Sequence, residues 1–223
     1  MATFSRLEGY QFTVGFGASH DTDQIDRLHD AGAATVCFEN MRHYDPLGAT
    51  RAVVDVARYL RANEFHIVHT HSTEAGIIGR YAAAIARSPS VVHTIHGVPF
   101  ADDRSRVLER FLLHSERLAA RFTDVMVANA DAITEDYLAR GIGHRSQYET
   151  VYSGIDIDEI DRSTPAEDID GTGTRVLMVG RLASGKGHED LVEAICPLEQ
   201  RELSVYLAGE GPLREQIQSI IHD

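Results

Sequence analysis

Short runs of β-branched and apolar residues alternate with amphipathic stretches along most of the chain, and this rhythm constrains the fold more than any other feature. Residues 11–16, 35–39, 66–70, 90–96 and 123–128 read as strands, with helices between most of them. The alternation predicts an α/β fold around a parallel sheet. Over residues 49–63, Val53, Val56, Ala57 and Leu60 share one face while Arg51, Asp55, Arg58 and Arg61 take the other, as in a helix laid on a sheet. Residues 73–87 and 104–121 read as further helices, and 131–140 as a shorter one ending before Gly141. Gly15-x-Gly17 reads as a turn.

From Asp156 the pattern lapses into acids and turn formers, which marks 156–173 as a linker between a first domain, 1–155, and a second, 174–223. A new β-α-β-α series follows over 175–179, 188–198, 203–208 and 213–222. It stops after two strands, too few for an open parallel sheet of its own, so the second domain is expected to be the start of a larger one. Cys37 and Cys196 stand one in each domain, which indicates neither a disulfide framework nor a Cys-x-x-Cys metal site and points to a reducing compartment. No apolar run is long enough to span a bilayer and the first residues lack an apolar signal core, so a cytoplasmic protein is expected.

Lys+Arg 21 against Asp+Glu 34 gives a formal net charge of -13, which repels nucleic acid and argues against electrostatic docking on a membrane. A surface this acidic suits a protein kept soluble at high salt, and equally an ordinary acidic cytosolic protein. Among the cations Lys186 is the only lysine. It lies in Gly180-Arg181-Leu182-Ala183-Ser184-Gly185-Lys186-Gly187, directly after a strand and before a helix. A turn over Ala183-Ser184-Gly185 would let Arg181 and Lys186 face one anion at the helix start, where free backbone N–H groups and the helix dipole add to the attraction, and a diphosphate fits that charge. The segment also matches G-x-x-x-x-G-K-[ST] up to its last position, but Gly187 has no hydroxyl for magnesium and no later apolar strand ends in a second aspartate ligand, which counts against an NTPase. A structural turn with a solvated lysine is the third reading.

These residues, followed by Leu207-Ala208-Gly209-Glu210-Gly211-Pro212-Leu213-Arg214, resemble the second-domain signature of family 4 glycosyltransferases of the GT-B fold. Upstream, Ile67-Val68-His69-Thr70-His71-Ser72, Ala75-Gly76-x2-Gly79-Arg80, Val92-His93-Thr94-Ile95-His96-Gly97-Val98-Pro99-Phe100 and Val151-Tyr152-Ser153-Gly154-Ile155-Asp156 are similar to that family in the same order. The resemblance implies a Rossmann-like acceptor-side domain followed by the first part of a Rossmann-like nucleotide-sugar domain, the two closing over a nucleotide sugar. It implies a retaining transferase that moves a sugar from a nucleotide-diphosphate donor to a glycan, lipid-linked or small-molecule hydroxyl acceptor. Arg181 and Lys186 would neutralise the departing diphosphate with no metal and no cofactor, and Gly180, Gly209, Glu210 and Gly211 would bring backbone close to the nucleotide.

His69 and His71 alternate on one face at the end of a strand, and His93 and His96 lie at the end of the next. Packing histidines, a zinc cluster of four imidazoles and sugar recognition compete as readings, the zinc one without a familiar ligand spacing. The resemblance assigns His96 to the donor sugar and Gly97 to close approach, and leaves His69, His71 and His93 as residues of the substrate cleft. The chain departs from the family at both ends. The family's first glycine-loop strand, which would lie between the strands at 11–16 and 66–70, and its E-x7-E motif have no counterpart, while Ser153 and Ile160 replace the usual Asn and Phe. A catalytically silent fragment, or one that binds a partner chain supplying these pieces, is therefore the alternative to an active transferase acting in the cytoplasm or at the inner face of a membrane.

Overall fold

The structure is a computed structural model that describes residues 8–18, 22–42, 46–100, 106–155, 157–162, 173–195 and 202–222. Asp156, Cys196 and most of the expected linker lie outside the described residues. The chain forms two compact units, Met1–Ile155 and Asp156–Asp223.

The first unit opens with β1 (Thr13–Gly17), α1 (Thr22–Asp30) and β2 (Ala34–Phe38), and β1 and β2 pair in parallel. Gly15 is inside β1 and not in a turn; a Cβ there would come within 2.9 Å of the Phe38 ring, so the glycine makes room for an aromatic side chain across the pair. After a 3-10 turn (Glu39–Arg42) come α2 (Pro46–Asn63), β3 (Ile67–His71), α3 (Thr73–Ala86), β4 (Ser90–Ile95), α4 (Arg106–Ala119), β5 (Val125–Ala128), α5 (Asp131–Ala139) and β6 (Tyr148–Thr150). Strands β3, β4, β5 and β6 form a second parallel sheet in that spatial order, separate from the β1–β2 pair. Among the described residues the two sheets part between β1 and β3, where the sequence reading expects a gap, and β6 is a strand that it does not predict.

Among the described residues two apolar clusters hold this unit. Ala52, Val56 and Ala57 of α2 pack on Ile78 and Ala82 of α3, the face of α2 that periodicity marks as apolar. The other cluster gathers Ile95, Phe100, Leu112, Met126, Tyr137 and Tyr148 around β4 and β5. Glycines let α3 press onto the sheet. A Cβ on Gly76 would come 2.4 Å from the His93 ring and one on Gly79 would come 2.6 Å from Thr70. Next to them Arg80 is wholly buried, donating from Nε to the Gly76 carbonyl at 3.0 Å and from Nη2 to Glu116 of α4 at 2.7 Å. Burial pushes the Glu116 carboxyl upward against the pull of Arg80, so the pair ties two helices together at a desolvation cost.

The second unit begins with α6 (Ile157–Arg162), a helix inside the segment expected to be linker. It continues with β7 (Thr174–Val179), α7 (His188–Ile195), β8 (Leu203–Ala208) and α8 (Arg214–His222), β7 and β8 pairing in parallel from Thr174 opposite Leu203 to Val179 opposite Ala208.

Candidate functional site

The four histidines do not form one group. In the β3–β4 register Thr70 sits opposite His93, and side chains alternate along each strand, so His93 shares the buried face with Thr70 while His69 and His71 take the exposed one. His96, just beyond β4, joins the exposed pair. His71 Nδ1 and His96 Nε2 are 3.1 Å apart and share a hydrogen bond, and His69 Nε2 bonds Thr94 Oγ1 at 2.7 Å. The rings of His69 and His71 lie 4.3 Å apart and those of His71 and His96 5.3 Å. Burial, with the neighbouring imidazoles adding to it, lowers His69 and holds His71 down to about 4. At neutral pH His69 and His71 are therefore uncharged imidazoles able to donate and accept. Among the described residues no group of three or more His, Cys, Asp or Glu side chains could hold a metal, and the four-imidazole grouping entertained from sequence fails because strand alternation sends His93 to the other face.

A cavity of about 310 Å³ opens at the carboxyl end of β4, bounded by Ser72, Thr73, His93, His96, Gly97 and Tyr137. Carboxyl ends of parallel strands are where open α/β sheets bind ligands. Ser72 joins β3 to α3 at φ 65°, a left-handed conformation rare for a residue with a side chain. A Cβ built on Gly97 would meet nothing within 4 Å, so the glycine leaves open space at the cavity. Thr70 Oγ1 donates to the Val92 carbonyl at 3.3 Å and shares a hydrogen bond with His93 Nδ1 at 2.9 Å. Burial first, and the Arg80 charge next, push His93 down to about 2. Tyr137, on the opposite wall, is pushed well above the usual phenol range by burial and keeps its proton. Ser72, Thr73 and Tyr137 went unassigned from sequence; Tyr137 reads there as one more apolar position of a helix.

In the second unit, Gly180 to Gly187 run from the end of β7 to the start of α7. Ala183 N–H donates to the Arg181 carbonyl at 2.8 Å and Lys186 N–H to the Ala183 carbonyl at 3.3 Å, with Gly185 at φ 75° and Gly187 at φ 79°. The chain therefore does turn between Arg181 and Lys186, as a glycine in a left-handed conformation permits. Both side chains are exposed, and neither has a hydrogen-bond or ion-pair partner among the described residues. Glu189 and Asp190 occupy the first turn of α7, where they offset the positive end of the helix dipole.

Gly209 and Gly211 have a packing reason to be glycine. A Cβ on Gly209 would lie 1.8 Å from the Gly180 carbonyl oxygen, and one on Gly211 would lie 2.2 Å from that of Leu182. Leu182 N–H donates to the Glu210 carbonyl at 3.0 Å, and Leu213 N–H to that of Leu182 at 3.0 Å. These contacts clamp the two strand ends together and fix the path of the cationic loop. Beneath it His188 is buried with both ring nitrogens unpartnered among the described residues, its Cε1 3.8 Å from where a Gly180 Cβ would be.

Residues 6–154 match the glycosyl transferase 4-like domain family. Over 225 aligned residues the chain is 25% identical to the UDP-Gal:alpha-D-GlcNAc-diphosphoundecaprenol alpha-1,3-galactosyltransferase of Escherichia coli, covering 96% of this chain and 58% of that enzyme. The chain thus spans less than two thirds of the length of that curated relative. Among solved structures it is similar to a glycosyltransferase from Rickettsia africae, with a TM-score of 0.69 at 16% identity over 99% of this chain and 60% of that one. The UDP-GlcNAc 2-epimerase of Neisseria meningitidis bound to UDP-GlcNAc aligns with a TM-score of 0.59 at 13% identity, over 98% of this chain and 63% of that one. The GT-B-like, Rossmann-like α/β architecture expected from sequence is the one observed. Since a transferase and an epimerase share it, the chemistry has to be argued from residues.

Proposed function

Because the chain belongs to the glycosyl transferase 4-like domain family, we propose that it is the catalytic portion of a glycosyltransferase of glycan or glycolipid biosynthesis. Its donor is a nucleotide-diphosphate sugar and its acceptor a glycan, lipid-linked or small-molecule hydroxyl, and transfer proceeds with retention. The name of the Escherichia coli relative, with UDP-Gal and a diphosphoundecaprenol-linked GlcNAc, supports that substrate class. The observation that carries the reading is the turned loop at the start of α7, in which Arg181 and Lys186 have no partner among the described residues.

When the bond from the anomeric carbon to the diphosphate breaks, its electron pair leaves with the phosphate oxygen and negative charge grows there. Arg181 and Lys186, already in place, stabilise that charge more than the ground state, which is the requirement for catalysis without a metal. His96 bonds a hydroxyl of the donor sugar or the developing charge at its anomeric centre, Gly97 leaves room for the ring, and the Gly209–Glu210–Gly211 backbone lies near the nucleotide. The uncharged His69 and His71, with His93 on the opposite face, shape the cleft. Transfer takes place in the cytoplasm or at the inner face of a membrane; no helix among the described residues is long and apolar enough to cross one.

Calorimetric titration with UDP and GDP, with ATP and magnesium as the comparison, tests this reading. A nucleoside diphosphate is expected to bind, and magnesium-dependent ATP turnover without nucleoside diphosphate binding would refute it. The alternative of a partner chain rests on the separation of the β1–β2 pair from β3–β6 and predicts turnover only after that chain is added.

A further inference from the structure

The outer face of α4 carries a repeat that neither the core nor the candidate site uses. Arg106–Val107 and Arg110–Phe111 are followed by Arg117–Leu118 and, in the 3-10 turn that extends the helix (Ala120–Phe122), by Arg121–Phe122. At 100° per residue these spacings set the four arginines in one stripe along the helix and the four apolar side chains in a second stripe beside it. The apolar stripe faces solvent, Val107 being 80% exposed, Phe111 65%, Leu118 43% and Phe122 41%. The other side of α4 already buries Leu112, Glu116 and Ala119, so the helix is apolar on two faces and only one is covered. Of the carboxylates of α4, Glu116 is buried on Arg80, and Glu109, three residues from Arg106, lies 3.9 Å from Arg140.

We propose that this face docks on an anionic lipid bilayer, the apolar stripe entering the headgroup–acyl boundary and the arginines meeting lipid phosphates. Paired cationic and apolar stripes of about 22 Å, from the rise of a helix over this stretch, are what an interfacial helix needs. A second copy is the poorer occupant, because an antiparallel two-fold pairing along the apolar stripe sets the arginines of both copies on the same side. The net charge of -13 does not prevent the contact, since carboxylates elsewhere are screened beyond about 8 Å at physiological salt.

Flotation of the chain with vesicles of phosphatidylcholine alone, or mixed with phosphatidylglycerol, tests the proposal, with UDP titrations of the same samples reading sugar-nucleotide binding separately. The chain should partition onto the mixed vesicles and be released by salt. Phe111→Ser should abolish most of that partitioning. Arg110→Gln with Arg121→Gln, which leaves the hydrogen bonds of Arg117 to the Arg140 carbonyl intact, should weaken it about fivefold per charge. All three positions are exposed, so circular dichroism should be unchanged. Equal binding to neutral and anionic vesicles, no binding to either, or variants that bind like the parent would overturn the proposal. So would a dimer in sedimentation that Phe111→Ser dissolves, which would give the face to a second copy.

Discussion

Lowering the pH from 7.5 to 5.0 should remove about 2 kcal/mol of stability from the first unit through His93 alone. In the unfolded chain this imidazole titrates near 6.5, whereas in the fold it is held down to about 2. Between those values the unfolded state binds a proton that the native state refuses, so stability is full above pH 6.5 and falls as the pH drops. At pH 5.0 the folded ring is still neutral, and the loss is about 1.36 kcal/mol for each of the 1.5 pH units below 6.5, independent of how deep the folded value lies. The cause is burial, reinforced by Arg80 and by His71 and His69. His71, held to about 4, adds to the same trend, though its exposed ring is screened and its share smaller. Urea unfolding followed by circular dichroism at both pH values reads the effect. His93→Asn keeps a hydrogen-bond partner for Thr70 without a titrating ring, and subtracting its pH dependence from that of the parent cancels every other group. A parent and variant with the same loss would show that His93 is not held neutral.

Other perturbations bear on the scaffold and the loop. Gly209→Ala, which sets a methyl 1.8 Å from the Gly180 carbonyl, should destabilise the second unit by about 1–3 kcal/mol and weaken UDP binding together with it; a variant as stable as the parent would mean that the strand ends are not clamped as described. Glu116→Ala leaves the Arg80 guanidinium buried and unpaired and should cost about 3–5 kcal/mol in denaturant unfolding, a loss under 1 kcal/mol arguing that the pair is hydrated. If Arg181 and Lys186 carry the neutralising charge as proposed, addition of EDTA should leave UDP affinity unchanged; a metal requirement in calorimetry would contradict that role.

Local patterns were legible in the sequence to the extent that they are local. The apolar face of α2 and the span of β8 follow from periodicity, whereas β6 is three residues long, too short for a period to show. Alternation correctly puts His69 and His71 on one face, but the separation of His93 from them depends on its pairing with Thr70 across strands, which no single strand encodes. Arg80 and Glu116, 36 positions apart, meet only because Gly76 and Gly79 let α3 close on the sheet. The glycines of Gly209-Glu210-Gly211-Pro212 were visible while their reason was not, since the carbonyls they avoid belong to a distant loop. The stripes on α4 were present in the spacing of its Arg–apolar pairs, but recognising them required knowing which side of the helix the core had already taken.

The charge of Lys186 bears most directly on the proposed reaction, and calorimetry of UDP with Lys186→Ala measures it in a chain whose fold an exposed substitution should not disturb. Loss of one charge-assisted phosphate contact, worth about 1.5–3 kcal/mol, predicts a 10- to 150-fold weaker Kd, with partial recovery in Lys186→Arg. A folded Lys186→Ala that binds UDP as tightly as the parent would contradict the diphosphate role of the loop and, with it, the proposed mechanism.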